Sequence, residues 1–269
     1  MRAIKRVSQS QLKYFVRLSS KKFREHEGKF LVEGPKLILE ILQSHWRLET
    51  LLLHRDFLQD ESANDIMRRS EALGCEILEV SHAELKKLSD VVTQQPVAGV
   101  VRMPHHDIAH FASTVKADCL VVALEGVADP GNVGTVIRTC DWFGVDAVLL
   151  DKNSVEPYNP KVVRAAMGSL FHIPVYADLD LATTLHEMKS QGFTVLATAV
   201  GEGSSIQSVD QRGRRVVVLG NEASGVSSAL SRIADAHVTI PGMGRAESLN
   251  VGIAAGIIIG FWKLGKPVS

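Results

Sequence analysis

LEGVADPGNVGTVIRTCDWFG, residues 124–144, is the stretch on which the fold turns. It closes the apolar run CLVVAL, bends through Gly126, Pro130, Gly131 and Asn132, and restarts with Val133, Val136, Ile137 and Cys140 at i, i+3, i+4 and i+7. That spacing lines one face of a helix, so the unit reads strand–turn–helix. Taken alone, it fits either a structural unit with Asn132 as N-cap and Arg138 in solvent, or a polar site at a strand end. It is not G-x-G-x-x-G and holds no G-K-[ST], which disfavours an ordinary dinucleotide fold and a phosphate-loop NTPase.

Outward from this stretch, further apolar runs without alternation follow at Ala147–Leu150, Thr194–Ala197, Val216–Leu219 and His237–Ile240, with helical patterns between them. Non-alternating strands separated by helices predict a parallel sheet covered on both faces, an α/β domain over 118–269. Before it, KFLVE, LETLLL, CEILEV and VAGVV predict short strands of a smaller α/β domain over 1–102, in which QLKYFVRL reads as an amphipathic helix and SSKKFREHEG as a basic loop. Residues 103–117, with Pro104 and weak periodicity, read as the linker, and His105, His106 and His110 within it as solvated rather than metal-binding.

Ligands in open α/β sheets bind at the carboxyl ends of strands, and two more polar clusters fall there. VVVLGNEASGVS (216–227) runs an apolar strand straight into Gly220, Asn221 and Glu222. It reads equally as a tight turn and as a backbone shaped for close approach to a ligand. IPGMGRAESLNVGIAAG (240–256) passes from an irregular loop through Ser248 and Asn250 into a helix apolar all round, which the sheet or a partner chain must cover.

The chain of 269 residues carries 30 basic and 30 acidic side chains, unevenly placed: residues 1–30 hold nine Lys or Arg against two acids, +7, balanced by −7 on the rest. A basic N-terminal face on a neutral protein fits either a local nucleic-acid footprint or a solvated surface. Cys75, Cys119 and Cys140 have no paired spacing, the start has no apolar signal core, and the longest apolar run, 251–262, is too short to span a bilayer. The expectation is a cytoplasmic protein with no metal and no membrane partner.

The three clusters together resemble the SPOUT class of methyltransferases, specifically the SpoU or TrmH-type RNA ribose 2′-O-methyltransferases. The matching residues are Glu125, Gly126, Pro130–Gly134 and Arg138; Leu219–Glu222 and Gly225–Ser227; and Ile240–Met243 with Glu247–Val251. EPYNPKVVRAAMGSLFHIPV (156–175) resembles the family's middle segment, and KFLVEGPKLILEIL its ribosomal-protein-like substrate-binding domain. The resemblance implies a deep trefoil knot in the C-terminal domain, which general packing rules would not supply, and a homodimer formed through that domain.

It also implies S-adenosylmethionine as cofactor, held by Gly220, Asn221, Ile240, Met243 and Leu249, with Thr198 and Ala199 lining the adenine side. Asn132, Arg138, Glu222, Ser248 and Asn250 match the polar residues at the transfer site; Gly252 departs from the pattern, since relatives often carry serine there. The substrate implied is structured RNA, ribosomal RNA foremost, with Arg17, Lys21, Lys22 and Arg24 expected on its phosphates. Transfer RNA as substrate, a non-catalytic RNA-binding protein on the same scaffold, and a small-molecule enzyme using a nucleotide cofactor are the alternatives.

Overall fold

A computed structural model describes residues 4–89, 94–201 and 203–265; Arg2, one of the nine basic residues counted above, lies outside them. The chain divides into two units: residues up to His105 together with Tyr158–Arg164, and His106–Pro157 together with Ala165 onward.

The first unit contains β1 (Lys5–Arg6), α1 (Gln9–Arg17), α2 (Lys21–Glu27), β2 (Lys29–Glu33), α3 (Pro35–Gln43), β3 (Leu48–Leu53), α4 (Ala63–Ala72), β4 (Glu76–Glu79), α5 (His82–Leu88) and β5 (Val97–Arg102). Its sheet runs β1-β4-β3-β5-β2; β1, β4 and β3 are parallel, and β5 is antiparallel to both β3 and β2. α1 starts where Ser8 and Gln11 satisfy each other's backbone N–H groups in a capping box, and it buries Leu12 and Phe15.

One expectation fails here. SSKKFREHEG is not a loop: Lys21–Glu27 is helical and ends on Gly28, whose φ of 61° supplies the left-handed C-cap. Arg24 is buried inside that corner at 3% exposure, its Nη1 donating to the carbonyls of Leu18 (2.8 Å) and Ser19 (2.6 Å). Leu18 is the C-cap of α1 and Ser19 the residue after it, so the guanidinium closes a helix terminus. Arg24 therefore does not serve as a phosphate contact.

The second unit contains α6 (Ile108–Thr114), β6 (Cys119–Leu124), α7 (Pro130–Trp142), β7 (Ala147–Asp151), the end of α8 (Pro160–Ala166), β8 (Val175–Leu179), α9 (Leu181–Ser190), β9 (Thr194–Thr198), β10 (Ser204–Ser205), β11 (Arg214–Leu219), α10 (Ser228–Ile233), β12 (Ala236–Thr239) and α11 (Val251–Leu264). All seven strands are parallel, in the order β10-β12-β9-β11-β6-β7-β8. Every residue of β6 is buried, as the non-alternating pattern requires. Val121, Ala123, Leu149, Val195, Val216 and Val218 share one core cluster with Leu185 and Met188 of α9 and Leu230 of α10.

Residues 103–117 are also more than a connector. Asp107 caps α6 by accepting from the N–H groups of Ala109 and His110, and Ala112 joins the core cluster, with Ile108, Phe111 and Val115 packed against it. All three cysteines are free and buried, and burial pushes their thiols up, Cys75 to about 12. Among the described residues, no helix is long and apolar enough to cross a membrane.

Candidate active site

Because the sheet of the second unit is parallel, β6, β9, β11 and β12 all end on one edge, and their loops meet there. The loop after β6 enters α7 through Asp129, whose carboxylate accepts from the N–H of Asn132 at 2.8 Å, with Pro130 at the first helical position. Asp129, rather than Asn132, is thus the cap, and the Asn132 side chain is left for other work.

That side chain, in the first turn of α7, is the middle of a hydrogen-bonded chain between two loops. Asn132 Nδ2 donates to Glu222 Oε1 at 2.5 Å, and Asn250 Nδ2 donates to Asn132 Oδ1 at 2.9 Å. Asn250 Oδ1 in turn accepts from the N–H of Gly252 at 2.9 Å and of Ile253 at 3.3 Å, capping α11. Both amide orientations are forced. A carboxylate only accepts and a backbone N–H only donates, so each amide can face its neighbours one way round. The first turn of α7 and the loops after β11 and β12 contribute one residue each.

Arg138 lies on α7, six residues beyond Asn132 and so about 9 Å further along the helix. It is exposed and, among the described residues, makes no hydrogen bond or ion pair, which leaves its guanidinium available for a ligand. Ser248 and Leu249 lie in the exposed loop before Asn250. Met243, in the same loop, is 99% exposed, so the structure does not bring its side chain to the cluster.

The loop after β11 is tightly folded. A Cβ on Gly220 would lie 2.0 Å from Gly225 C, and Asn221 pairs with Gly225, whose N–H donates to Asn221 O at 2.8 Å. Asn221 Nδ2 donates to Gly126 O at 2.8 Å, and Ser227 N–H donates to Glu125 Oε2 at 2.8 Å, so this loop is fastened to the one after β6. Thr198 Oγ1 donates to Val218 O at 3.0 Å and Ala199 N–H to Val238 O at 2.9 Å, which places β9's end beside both neighbours. Ile240 follows directly after β12 and is partly buried.

Two residues that sequence reasoning missed support this arrangement from below. Asp151, buried at the end of β7, accepts through Oδ1 from Gly126 N–H (2.9 Å), Ser154 N–H (2.8 Å) and Ser154 Oγ (2.6 Å). Ser154 Oγ accepts from Val127 N–H at 3.0 Å and lies 3.2 Å from Leu124 O. A buried carboxylate and hydroxyl thus fix the first residues after β6. The available signal was an acid closing an apolar strand, with serine three residues on, in a turn-forming D-K-N-S run.

In the first unit, Arg17 lies over the Phe23 ring, 3.9 Å from its centroid, Lys21 pairs with Glu25 at 3.6 Å, and Lys22 is exposed. A cleft of about 630 Å³ nearby is lined in part by Tyr14, Lys29, Arg47, Glu49 and Glu76. Its charges are largely matched: Glu49 takes Lys29 and Arg102, each at 2.7 Å.

Comparison with known proteins adds to this geometry. Residues 119–260 match the SpoU rRNA Methylase family, and residues 9–99 match the MRM3-like substrate binding domain. The chain is 33% identical to the 23S rRNA (guanosine(2553)-2′-O)-methyltransferase RlmP of Bacillus subtilis over 259 residues, covering 96% of this chain and 98% of that one. It is 30% identical to the 23S rRNA (guanosine-2′-O-)-methyltransferase RlmB of Coxiella burnetii over 203 residues, 74% of this chain and 81% of that one. Among solved structures, it resembles the AdoMet-bound rRNA methyltransferase of Sinorhizobium meliloti, with a TM-score of 0.86, 29% identity and 99% of each chain covered. It also resembles the SpoU methyltransferase AviRb of Streptomyces viridochromogenes in complex with AdoMet, with a TM-score of 0.84, 25% identity and coverage of 96% and 98%.

Proposed function

This chain belongs to the SpoU rRNA methylase family, and on that premise we propose that it transfers a methyl group from S-adenosylmethionine to a ribose 2′-hydroxyl of ribosomal RNA. The observation that carries the site assignment is the Asn250–Asn132–Glu222 chain joining the start of α7 to two loops at one sheet edge.

The cofactor suits the residues present. The loop after β11 folds so closely on itself that only glycine fits at Gly220, and the exposed loop 241–250 is linked to it through Asn250 and then Asn132. Gly220, Asn221, Ile240 and Leu249 would hold the cofactor largely through their backbone, with Thr198 and Ala199 beside it; Met243 would offer backbone alone. Bound there, S-adenosylmethionine supplies a methyl group already activated on a sulfonium.

The chain's own task is then the hydroxyl, a weak nucleophile at neutral pH. Arg138 stays charged and cannot accept a proton. Its role in this reading is to stabilise negative charge developing on the 2′-oxygen and to grip the adjacent phosphate. Asn132, oriented by Glu222 and Asn250, fixes the ribose face of the site, and Ser248 borders it. Holding the hydroxyl in line supplies part of the rate gain. Arg17, Lys21 and Lys22 would contact RNA phosphates, in a domain corresponding to 1–102, while the cleft lined by Glu49 and Glu76 would not.

Two further features belong to this reading. α11 packs on α7, yet leaves Ile253, Ile257, Phe261 and Leu264 as an apolar stripe on its outer face, with Leu264 74% exposed. A second copy of the chain would cover that stripe, forming the homodimer, and the return of α11 across the loops after β6 and β11 would complete the knot. The place of action is the cytoplasm.

The test is transfer of labelled methyl from S-adenosylmethionine to unmodified ribosomal and transfer RNA. Label in ribosomal RNA alone supports the reading. Label in transfer RNA alone would redirect it, and label in neither would favour a binding role.

A further inference from the structure

The cleft of the first unit has side chains that the methyl-transfer site does not use. It opens between α1, which contributes Gln11 and Tyr14, and the leading ends of β3 and β4, which contribute Glu49 and Glu76. Its volume, about 630 Å³, falls within the range of small-molecule sites, about 300–1,000 Å³. The Tyr14 ring is held in place. Its hydroxyl donates to Glu27 Oε2 at 2.9 Å, and Phe15 and Phe23 meet it edge to face with centroids 5.6 and 5.5 Å away. Leu73, 63% exposed, adds apolar surface to the lining.

Two charges in the lining are left unmatched. Glu49 is occupied by Lys29 and Arg102. The Glu76 carboxylate receives only a long bond, 3.4 Å from Gln11 Nε2 to Oε1, and its Oε2 has no partner among the described residues. Arg47 is exposed and its side chain makes no hydrogen bond or ion pair among those residues. A carboxylate and a guanidinium thus line one cleft without bonding to each other, and a ligand that bridges them must offer donors to one and acceptors to the other. Phosphate fails, since the carboxylate repels it. Among RNA bases, guanine alone places two adjacent donors, N1–H and N2–H, beside an acceptor pair, O6 and N7, that suits the guanidinium fork. Adenine and cytosine set a ring acceptor beside their amino group, and uracil has one N–H between two carbonyls. The cations expected on RNA phosphates are also close by: the Arg17 guanidinium lies over Phe23, and Phe23 meets Tyr14. Unstacked bases of single-stranded RNA are read in such settings, against an aromatic side chain and by their hydrogen-bonding edges.

Resting on the reading that the substrate is RNA, we propose that this cleft binds an unstacked guanine base of that RNA. Glu76 accepts from N1–H and N2–H, Arg47 donates to O6 and N7, and Tyr14 and Leu73 contact the rings. Glu76 and Arg47 are then specificity-determining residues.

Fluorescence anisotropy of the full chain tests this, with labelled seven-nucleotide uridine oligomers carrying a central guanosine, adenosine or cytidine, and with Glu76→Gln and Arg47→Ala alongside. Both side chains are exposed, so neither change threatens the fold. The wild type should prefer the guanosine oligomer by about 5–150-fold, the discrimination of a good bidentate base contact. Each variant should lose most of that preference, and Glu76→Gln should leave the adenosine oligomer's affinity unchanged. Equal affinity of the wild type for all three oligomers, a preference undiminished in Glu76→Gln, or an equal loss for all three in Arg47→Ala would overturn the proposal. Methyl transfer to ribosomal RNA by the same wild-type protein is read separately. Transfer without a guanosine preference overturns the cleft proposal alone. A preference that both variants lose, without any transfer, upholds the cleft and counts against methyl transfer.

Discussion

Replacing Gly220 by alanine tests the loop geometry most sharply. The new Cβ would lie 2.0 Å from Gly225 C, 2.1 Å from Gly225 O and 2.2 Å from Val226 N. Carbon contacts settle at about 3.5–4.0 Å, so the gap is short by roughly 1.5 Å, and the obstructing atoms are backbone. Relief requires the 221–227 loop to move away from β11, against the Gly225–Asn221, Asn221–Gly126 and Ser227–Glu125 bonds. Overpacking costs about 1–3 kcal/mol, and each broken bond about 0.5–1.5 kcal/mol more. The strand beneath is buried and paired on both sides, so the displacement falls on the loop assigned to the cofactor. With about 1.4 kcal/mol per tenfold in affinity, S-adenosylmethionine binding should weaken by about 10–100-fold in calorimetry. Gly225→Ala is the control: nothing lies within 4 Å of its Cβ, and only the left-handed backbone, φ +66°, resists the change. It should cost about 1–2 kcal/mol and spare more of the affinity. Cofactor affinity within about twofold of wild type in Gly220→Ala, with an unchanged melting curve, would refute the reasoning.

Three other substitutions separate the remaining roles. Arg138→Ala should slow methyl transfer by about 10²–10³-fold with cofactor affinity unchanged in calorimetry, and Arg138→Lys should not restore the rate, since a point charge lacks the planar fork. Ser154→Ala removes the hydroxyl shared by Asp151 and Val127 N–H and should lower stability by about 1–3 kcal/mol, read from urea unfolding. Lys21→Ala with Lys22→Ala should weaken RNA binding and reduce its salt slope by roughly one for each phosphate no longer neutralised, whereas Arg24→Ala should lower the melting temperature instead, because Arg24 closes α1.

Much of this was legible in sequence because it rests on local pattern. The runs CLVVAL, AVLL and VVVL, and VLA after the exposed Thr194, are buried on both faces, so they read directly as parallel strands, and the polar clusters that follow them fall at one sheet edge by topology alone. What escaped depended on partners distant in sequence or on the sign of burial. A guanidinium can meet carbonyls as readily as phosphates, so Arg24 among lysines gave no hint that it was buried. α2 was hidden by its charge, since its stop signal, Gly28, equally suits a loop. Val175–Leu179 was missed as a strand because a positive φ at Asp178 and its partial exposure break the apolar run. Asp151 and Ser154 act through contacts some 25–30 residues back along the chain, to Leu124, Gly126 and Val127. The all-apolar look of α11 was half right: one side is covered by its own chain, and Ile253, 55% exposed, marks the side that is not.

The most direct test of the central claim is the chemical identity of the product. Ribosomal RNA treated with the enzyme and labelled S-adenosylmethionine is digested to nucleosides and analysed by mass spectrometry, with Asn132→Ala and Arg138→Ala in parallel. A 2′-O-methylnucleoside formed by the wild type, and lost or strongly reduced in both variants while each still binds cofactor, is the predicted result. A methyl group on a base, or undiminished ribose methylation in either variant, would contradict the account.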